Sequence, residues 1–256
     1  MFDLAGKTIL LTGASKGIGA ATARALGHAS AHLVAHYGSD RAGAEAATAE
    51  IAAERKHLLK ADFADNADVD ALWRTALAWQ GRIDVLISNA AIMHWSGGLE
   101  GDDDALWDRV WAETLQVNVI APARLMRHAI RHFREAGGGI LITLSSWAAQ
   151  RGVSNPDAVA YAASKAAIKA AAQTIARGYA RENILSYVVA PGVVHTRMSE
   201  EAATTQGGVA AVNAGLAMGE WAPPEDIANL VAFLSSGASR HLTGATLDVN
   251  GASYVR

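Results

Sequence analysis

Short apolar and β-branched runs alternate along the chain with longer segments whose apolar residues recur at helical spacing. The short runs predict β-strands over residues 8–11, 32–36, 56–60, 83–87, 140–144, 184–190 and 246–249. The intervening segments predict one helix that ends near residue 28 and others over 41–54, 66–79, 105–115, 122–134, 158–180 and 223–234. This alternation favours an α/β fold in which a seven-stranded, doubly wound parallel sheet is flanked by helices.

The composition fits one folded domain, with 51% hydrophobic and 18% charged residues in a chain of 256. A formal net charge of -3 predicts no nucleic-acid partner and no anionic membrane partner. The chain has no cysteine, which excludes disulfides, a thiolate nucleophile and zinc-thiolate ligation. It also lacks a basic leader and any apolar run of about 18 residues. We therefore expect a cytoplasmic protein with no membrane contact.

A glycine-rich turn separates the first predicted strand from the first predicted helix. Its candidate ligand-binding residues are Gly13, Ser15, Lys16, Gly17, Ile18 and Gly19. Glycines let the backbone turn tightly and approach a ligand, and the N-terminus of the following helix offers free N–H groups to a phosphate. The glycine spacing is wider than G-x-G-x-x-G. The context still favours a dinucleotide-binding turn over a plain tight turn.

The end of the second predicted strand bears on which dinucleotide binds. An acid at this point would select NAD, and the chain has Tyr37 there instead. Lys16, Ser39 and Arg41 carry donors suited to a 2′-phosphate, which favours NADP(H) over NAD(H). Asp40 leaves NAD open, because its carboxylate could accept from a ribose hydroxyl. Arg41 has the alternative of an ordinary solvated side chain.

Tyr161 and Lys165 lie one turn apart on the predicted helix 158–180. A free phenol titrates near about 10, and a neighbouring ammonium favours the phenolate, so this pair suits proton transfer. A half-buried ring beside a solvated ammonium is the ordinary alternative. Ser146, at the end of the fifth predicted strand, is the candidate partner of Tyr161, and Asp62, after the third, is a candidate acceptor for an adenine amine or a loop acid without a role.

These motifs together resemble the classical short-chain dehydrogenase/reductase family. The resemblance rests on residues 12–19, Asn89 with Ala90, Asn118, Ser146, Tyr161 with Lys165, and Pro191 with Gly192. It implies a single Rossmann-type domain over 1–256, with a cofactor half over about 1–120, a catalytic and substrate half over about 121–256, and a lid over about 193–220. Ala91 and Ser88 depart from the family's usual glycine and asparagine. The loop before Tyr161 is two residues longer than usual, and Ser146 is still assigned over Ser145 because a loop can absorb the difference.

The resemblance also implies residue roles. Hydride would pass between NADP(H) and a ketone or secondary alcohol, with Tyr161 as acid and base. Lys165 would lower the pKa of Tyr161 and bond the nicotinamide ribose, Ser146 would hold the substrate oxygen, and Asn118 would position a water. Further cofactor contacts would come from Asn89, Ala90, Pro191, Gly192, the backbone near Val194, and Thr196.

Substrate specificity is less clearly indicated by the sequence. Residues that could line an aromatic or apolar pocket are Met93, His94, Trp95, Trp147 and Trp221. Trp147 is the preferred candidate, and core or subunit packing is the alternative for the others. Asp102, Asp103 and Asp104 predict a helix cap rather than a metal site.

Four arginines at helical spacing form either a solvated face or a docking patch for an acidic carrier protein: Arg124, Arg127, Arg131 and Arg134.

The sequence therefore leaves three functions open. The leading one is an NADP-dependent oxidoreductase of small carbonyl or alcohol substrates. The alternatives are a 3-oxoacyl-[acyl-carrier-protein]-type reductase and a non-catalytic dinucleotide-binding regulator. Family resemblance predicts a homotetramer.

Overall fold

Seven parallel strands form one sheet in the order β3-β2-β1-β4-β5-β6-β7 within residues 2–255, which are those that the computed structural model describes. The strands are β1 Thr8–Leu11, β2 His32–Tyr37, β3 Lys56–Lys60, β4 Val85–Ser88, β5 Gly139–Leu144, β6 Ile184–Pro191 and β7 Thr246–Val249. Every predicted strand is confirmed, because runs of β-branched and apolar residues mark strands that are buried on both faces.

Helices cover both faces of the sheet. They are α1 Gly17–His28, α2 Arg41–Ala47, α3 Asn66–Gln80, α4 Asp104–Leu115, α5 Ala121–Glu135, α6 Ala148–Arg151, α7 Val159–Tyr179, α8 Arg197–Thr204, α9 Val209–Ala214 and α10 Pro224–Ser236. Alternate side chains of β1 enter opposite layers of the core. Ile9 and Leu11 pack with residues of α1 and α10, whereas Leu10 packs with residues of α3, α5 and α7.

Two helix predictions are corrected by the structure. The helix predicted over 41–54 ends at Ala47. Thr48 then donates its hydroxyl to the Ala44 carbonyl at 2.8 Å, and the chain turns so that Ile51 is buried in the core layer that includes α1. The predicted gap between residues 115 and 122 is a π-helical turn, Gln116–Ile120, that joins α4 to α5. This turn places the Asn118 side chain inside the protein.

The carboxyl ends of β1, β4, β5 and β6 meet at one edge of the sheet, where the strand order reverses between β1 and β4. Ligands of doubly wound folds bind at this edge. The segment predicted as a lid, 193–220, contains α8 and α9. Asp103 accepts from the Leu106 N–H at 2.8 Å, as expected for a cap of α4. No helix in residues 2–255 is long and apolar enough to cross a membrane.

Candidate active site

A cavity of about 1130 Å³ runs along the carboxyl edge of the sheet, from the glycine-rich turn to Tyr161. Most of the predicted site residues line it: Gly13, Ser15, Lys16, Gly17, Ile18, Gly19, Ser39, Asp62, Asn89, Ala90, Ser146, Tyr161, Lys165, Pro191, Gly192, Val194 and Thr196. Several predicted residues do not line it, among them Tyr37, Arg41, Trp95, Asn118 and Trp147. The sequence therefore located the site, and the structure changes several individual roles.

Glycine is required at three positions of the turn because neighbouring atoms lie too close for a Cβ. Gly13 has φ +72°, and a Cβ there would lie 2.9 Å from the Ala90 Cα. A Cβ on Gly19 would lie 1.9 Å from the Gly13 carbonyl oxygen, and one on Gly17 would lie 2.8 Å from the Thr196 side chain. The start of α1 thus faces the cavity with a backbone surface that no side chain fills. Such a surface suits the phosphates of a dinucleotide.

Asn89 and Thr12 clamp this turn to the end of β4. The Asn89 side-chain amide donates to the carbonyls of Thr12 and Gly13 at 2.9 and 3.0 Å. The Thr12 hydroxyl accepts from the backbone N–H groups of Asn89 and Ala90 at 2.9 and 3.0 Å. Asn89 therefore lines the cavity, and its amide also holds the shape of the glycine-rich turn.

His36 is a cavity residue that sequence reasoning missed. Its buried imidazole accepts from the Gly13 N–H through Nδ1 and donates to the Ala61 carbonyl through Nε2, both at 3.1 Å. The ring stacks on Phe63, with centroids 4.6 Å apart. Since one partner is a donor and the other an acceptor, the neutral Nε2–H tautomer is fixed. Burial lowers the pKa of His36 to about 4.

The predicted 2′-phosphate residues are only partly at the cavity. Tyr37 is buried outside the cavity lining, and Arg41 pairs with Glu45 at 2.8 Å on the surface. Neither residue lines the cavity, so a role for either of them in cofactor binding stays a prediction. Lys16 and Ser39 do line the cavity, but the Lys16 ammonium lies 3.5 Å from the Asp40 carboxylate.

Other contacts at this end fix Asp40 and Asp62 in place. The Asp40 carboxylate accepts from the Gly43 N–H at 2.9 Å and caps α2, while its carbonyl accepts from the Ser15 hydroxyl at 2.7 Å. Asp62 lines the cavity, and its carboxylate accepts from the Ala64 N–H at 2.9 Å. Both acids are therefore at the predicted adenosine end of the cavity.

Ser146 and Tyr161 both line the other end of the cavity, and their side chains interact. Ser145 instead donates its hydroxyl to the Lys165 carbonyl at 2.9 Å, which supports the choice of Ser146 over Ser145. The loop before Tyr161, which was expected to carry two extra residues, contains α6 and a 3-10 turn, Pro156–Ala158. Burial raises the pKa of Tyr161, and the interaction with Ser146 lowers it by less.

The Lys165 ammonium lies 5.6 Å from the centroid of the Tyr161 ring and donates to the Leu144 carbonyl at 2.9 Å. Burial lowers the pKa of Lys165 to about 8. Burial has the larger effect in the described structure, so the pKa of Tyr161 is raised overall, and a lowering by this ammonium stays a prediction. The pair nevertheless shares one face of α7 at the cavity, as its spacing predicted.

Asn118 is buried, and both of its amide N–H donors are engaged. Its side chain accepts from the Ile92 N–H and donates to the Ile92 carbonyl, both at 2.9 Å, and donates to the Ser164 hydroxyl at 3.0 Å. The side chain thus ties the segment after β4 to α7, and it does not line the cavity. A water at this side chain, as family resemblance implied, would donate to the second lone pair of Oδ1.

Two predicted substrate tryptophans also lie outside the cavity lining. Trp147 donates its backbone N–H to the Pro191 carbonyl at 3.0 Å, and its indole packs under the Arg151 guanidinium, 4.8 Å from the ring centroid. Trp95 is half-buried. Met93 and His94, which precede Trp95, do line the cavity, as do Ile92 and Met198, which the sequence did not indicate. Apolar side chains such as Ile92 and Met198 usually pack in cores, so spacing alone could not reveal them.

Together these residues can hold a dinucleotide at the glycine-rich turn and present a phenol, a hydroxyl and an ammonium to a polar substrate atom. Comparisons with known proteins agree with this arrangement. A family model described as enoyl-(acyl carrier protein) reductase matches residues 13–252. The chain is 34% identical over 252 residues to 3beta-hydroxysteroid dehydrogenase 1 of Eggerthella lenta, covering 97% of this chain and 94% of that protein.

Two further relatives are reductases. The chain is 32% identical over 253 residues to 3-oxoacyl-[acyl-carrier-protein] reductase of Escherichia coli, covering 98% of each. A solved structure of 3-ketoacyl-(acyl-carrier-protein) reductase from Brucella melitensis, complexed with NADH, matches with a TM-score of 0.86 at 29% identity, covering 99% of this chain and 100% of that one. The chain therefore belongs to the short-chain dehydrogenase/reductase family, and it is an oxidoreductase that acts on hydroxyl or carbonyl groups with a nicotinamide cofactor.

Proposed function

We propose that the protein interconverts a ketone and a secondary alcohol with NADP(H), and that Tyr161 is its general acid and base. The observation that carries this proposal is that Tyr161, Ser146 and Lys165 line one cavity, with the Lys165 ammonium 5.6 Å from the Tyr161 ring centroid. A positioned acid must be within hydrogen-bond reach of the oxygen that it protonates. Ser146 and Tyr161 together offer two hydroxyls to one carbonyl oxygen.

The bound nicotinamide supplies or accepts the hydride. In the reductive direction, the Tyr161 hydroxyl gives its proton to the carbonyl oxygen as the new C–H bond forms, which yields a neutral alcohol and a phenolate. Ser146 donates a hydrogen bond to the same oxygen while negative charge develops on it. Lys165 is mostly protonated at neutral pH, because its pKa is about 8. Its ammonium group stabilises the phenolate. In oxidation the phenolate accepts the alcohol proton.

A Tyr161→Phe variant tests the acid. It keeps the ring and the fold, so cofactor binding stays near wild type while turnover falls by about a hundredfold or more. Tyr179→Phe removes a phenol near the other end of α7, outside the cavity, and serves as the matched control with wild-type turnover. Full activity in Tyr161→Phe would contradict the assignment.

The preference for NADP(H) rests on Lys16 and Ser39 at the adenosine end of the cavity. An ammonium and a hydroxyl favour a 2′-phosphate, while Asp40 opposes it by like charge. We expect NADPH to bind more tightly than NADH in calorimetric titration. Lys16→Ala should weaken NADPH binding about tenfold and NADH binding much less. Equal losses for the two cofactors, or tighter NADH binding by the unmodified protein, would refute the preference.

A second candidate is a reductase of carrier-linked 3-oxoacyl substrates. Arg127 and Arg131 on α5 are exposed, whereas Arg124 pairs with Asp70 and Arg134 pairs with Glu182. The exposed pair suits an acidic carrier protein. Arg127→Glu should lower kcat/KM for a carrier-linked thioester and leave a free ketone unaffected, with Arg24→Glu on α1 as control. Equal activity of Arg127→Glu on both substrates would exclude carrier docking at this face.

The remaining expectations concern assembly and location. A homotetramer stays a prediction from family resemblance, and sedimentation of the purified protein tests it. A cytoplasmic location stays a prediction from the sequence pattern. A non-catalytic regulator is disfavoured, because Ser146, Tyr161 and Lys165 all line one cavity. A protein that only bound a dinucleotide would not need these three groups together.

A further inference from the structure

The segment that follows the Asn89 turn is fixed at both ends beside the reactive hydroxyls. Ile92 is held through its N–H and its carbonyl by Asn118, with both bonds at 2.9 Å. Four residues later, the N–H and the hydroxyl of Ser96 both donate to the Asp157 carbonyl at 3.0 Å. His94 lies between these anchors and lines the cavity. Its backbone position is therefore set by contacts on either side.

The His94 imidazole is also oriented. Its Nδ1 lies 3.1 Å from a carboxylate oxygen of Glu113 on α4. An ionised carboxylate only accepts hydrogen bonds, so Nδ1 carries the proton and the neutral ring has its lone pair on Nε2. Within residues 2–255, no other hydrogen bond of this ring is found. Nε2 is thus available as an acceptor.

Ile92, Met93 and Met198 are apolar residues that line the same cavity as His94. Binding sites use a small number of placed polar groups among apolar side chains to fix the orientation of a ligand. The two hydroxyls that hold the reacting oxygen, those of Ser146 and Tyr161, come from β5 and α7, whereas His94 follows β4. The cavity therefore has a second polar contact on a separate element.

We propose that His94, positioned by Glu113, determines substrate specificity by accepting a hydrogen bond from a hydroxyl group that the ketone substrate carries away from its reacting carbonyl. The substrate class is then a hydroxylated ketone, or the corresponding diol in the oxidative direction. This inference rests on the proposed function, because it presupposes that the carbonyl is held at Ser146 and Tyr161.

The test uses a panel of cyclic and acyclic ketones, each paired with an analogue that carries one more hydroxyl group and with one that carries a carboxylate instead. The readout is the ratio of kcat/KM for the hydroxyl analogue to kcat/KM for its parent ketone, measured within each variant. The wild-type protein should favour the hydroxyl analogue. His94→Leu should lower the ratio about three- to tenfold, the scale of one hydrogen bond.

Two more variants separate recognition from general damage to the fold. His94→Gln keeps a polar group and should retain part of the ratio. Glu113→Leu releases the ring and should lower the ratio, whereas Glu113→Gln still accepts from Nδ1 and should retain most of it. An unchanged ratio in His94→Leu, or a wild-type preference for the carboxylate analogue, would overturn the inference. Absence of turnover on every ketone would instead refute the proposed function on which it rests.

Discussion

The buried His36 makes the stability of the fold depend on pH in a way that one substitution can isolate. In the folded protein the ring is neutral, since Nδ1 accepts from Gly13 and Nε2 donates to Ala61. A proton added to Nδ1 would face the Gly13 N–H, so the fold opposes protonation. Burial accordingly lowers the pKa of His36 from 6.5 to about 4.

The sign and size of the effect follow from linkage. In the unfolded chain the ring takes up a proton as the pH falls through about 6.5, while the folded protein resists until about pH 4. The unfolded state thus binds more protons in this window, and the free energy of unfolding falls as the pH falls. The full difference corresponds to about 3 kcal/mol, and about 2 kcal/mol is already lost at about pH 5.

The assay is urea unfolding at fixed protein concentration and several values of pH, for the wild-type protein and His36→Gln. The glutamine cannot titrate, so the variant is less stable at neutral pH but loses less stability on acidification, by about 2 kcal/mol between about pH 7 and pH 5. His241→Gln, at an exposed histidine, controls for loss of a histidine and should keep the wild-type slope. Equal slopes for wild type and His36→Gln would refute the reasoning.

Three other predictions concern the cofactor turn, the helix layer and the reactive lysine. Gly19→Ala should abolish cofactor binding in calorimetry, since its Cβ would overlap a carbonyl, whereas Gly178→Ala, whose Cβ meets nothing within 4 Å, should leave binding intact. Asp70→Asn should lower the free energy of unfolding by about 1 kcal/mol at neutral pH, because Arg124 holds the pKa of Asp70 well below its usual range. That difference should vanish as acid protonates Asp70 in the wild-type protein, and its persistence at low pH would contradict the ion pair. Because the pKa of Lys165 is about 8, kcat/KM for ketone reduction should fall above about pH 8. Lys165→Arg should shift this fall in kcat/KM to higher pH.

The strands could be predicted because their signal is local. Each parallel strand is buried on both faces, so its sequence is a short run of apolar and β-branched residues, and the observed strands begin or end within two residues of the predicted ones. Ser146 was chosen over Ser145 because a loop can absorb two extra residues without moving its ends, and Ser146 does line the cavity with Tyr161. The loop between them contains α6 and a 3-10 turn.

Contacts between distant elements could not be predicted in this way. His36 on β2 bonds to residues near the ends of β1 and β3, and nothing in its own neighbourhood in the sequence marks it. Arg41 was assigned to a 2′-phosphate because it carries suitable donors just after β2, but in the structure it pairs with Glu45 at the surface. Trp147 was assigned to substrate because it follows Ser146, yet Arg151 covers its ring.

The Tyr161 and Lys165 pair shows what three-dimensional burial adds to a spacing. The four-residue interval places both side chains on one face, and from charge alone an ammonium would favour the phenolate. Burial acts on both groups and disfavours charge on each, since it raises the pKa of Tyr161 and lowers that of Lys165. The phenol is therefore held with its proton, in the form that donates to a carbonyl oxygen. The ammonium, bonded to the Leu144 carbonyl, is kept close enough to stabilise the phenolate once the proton has left.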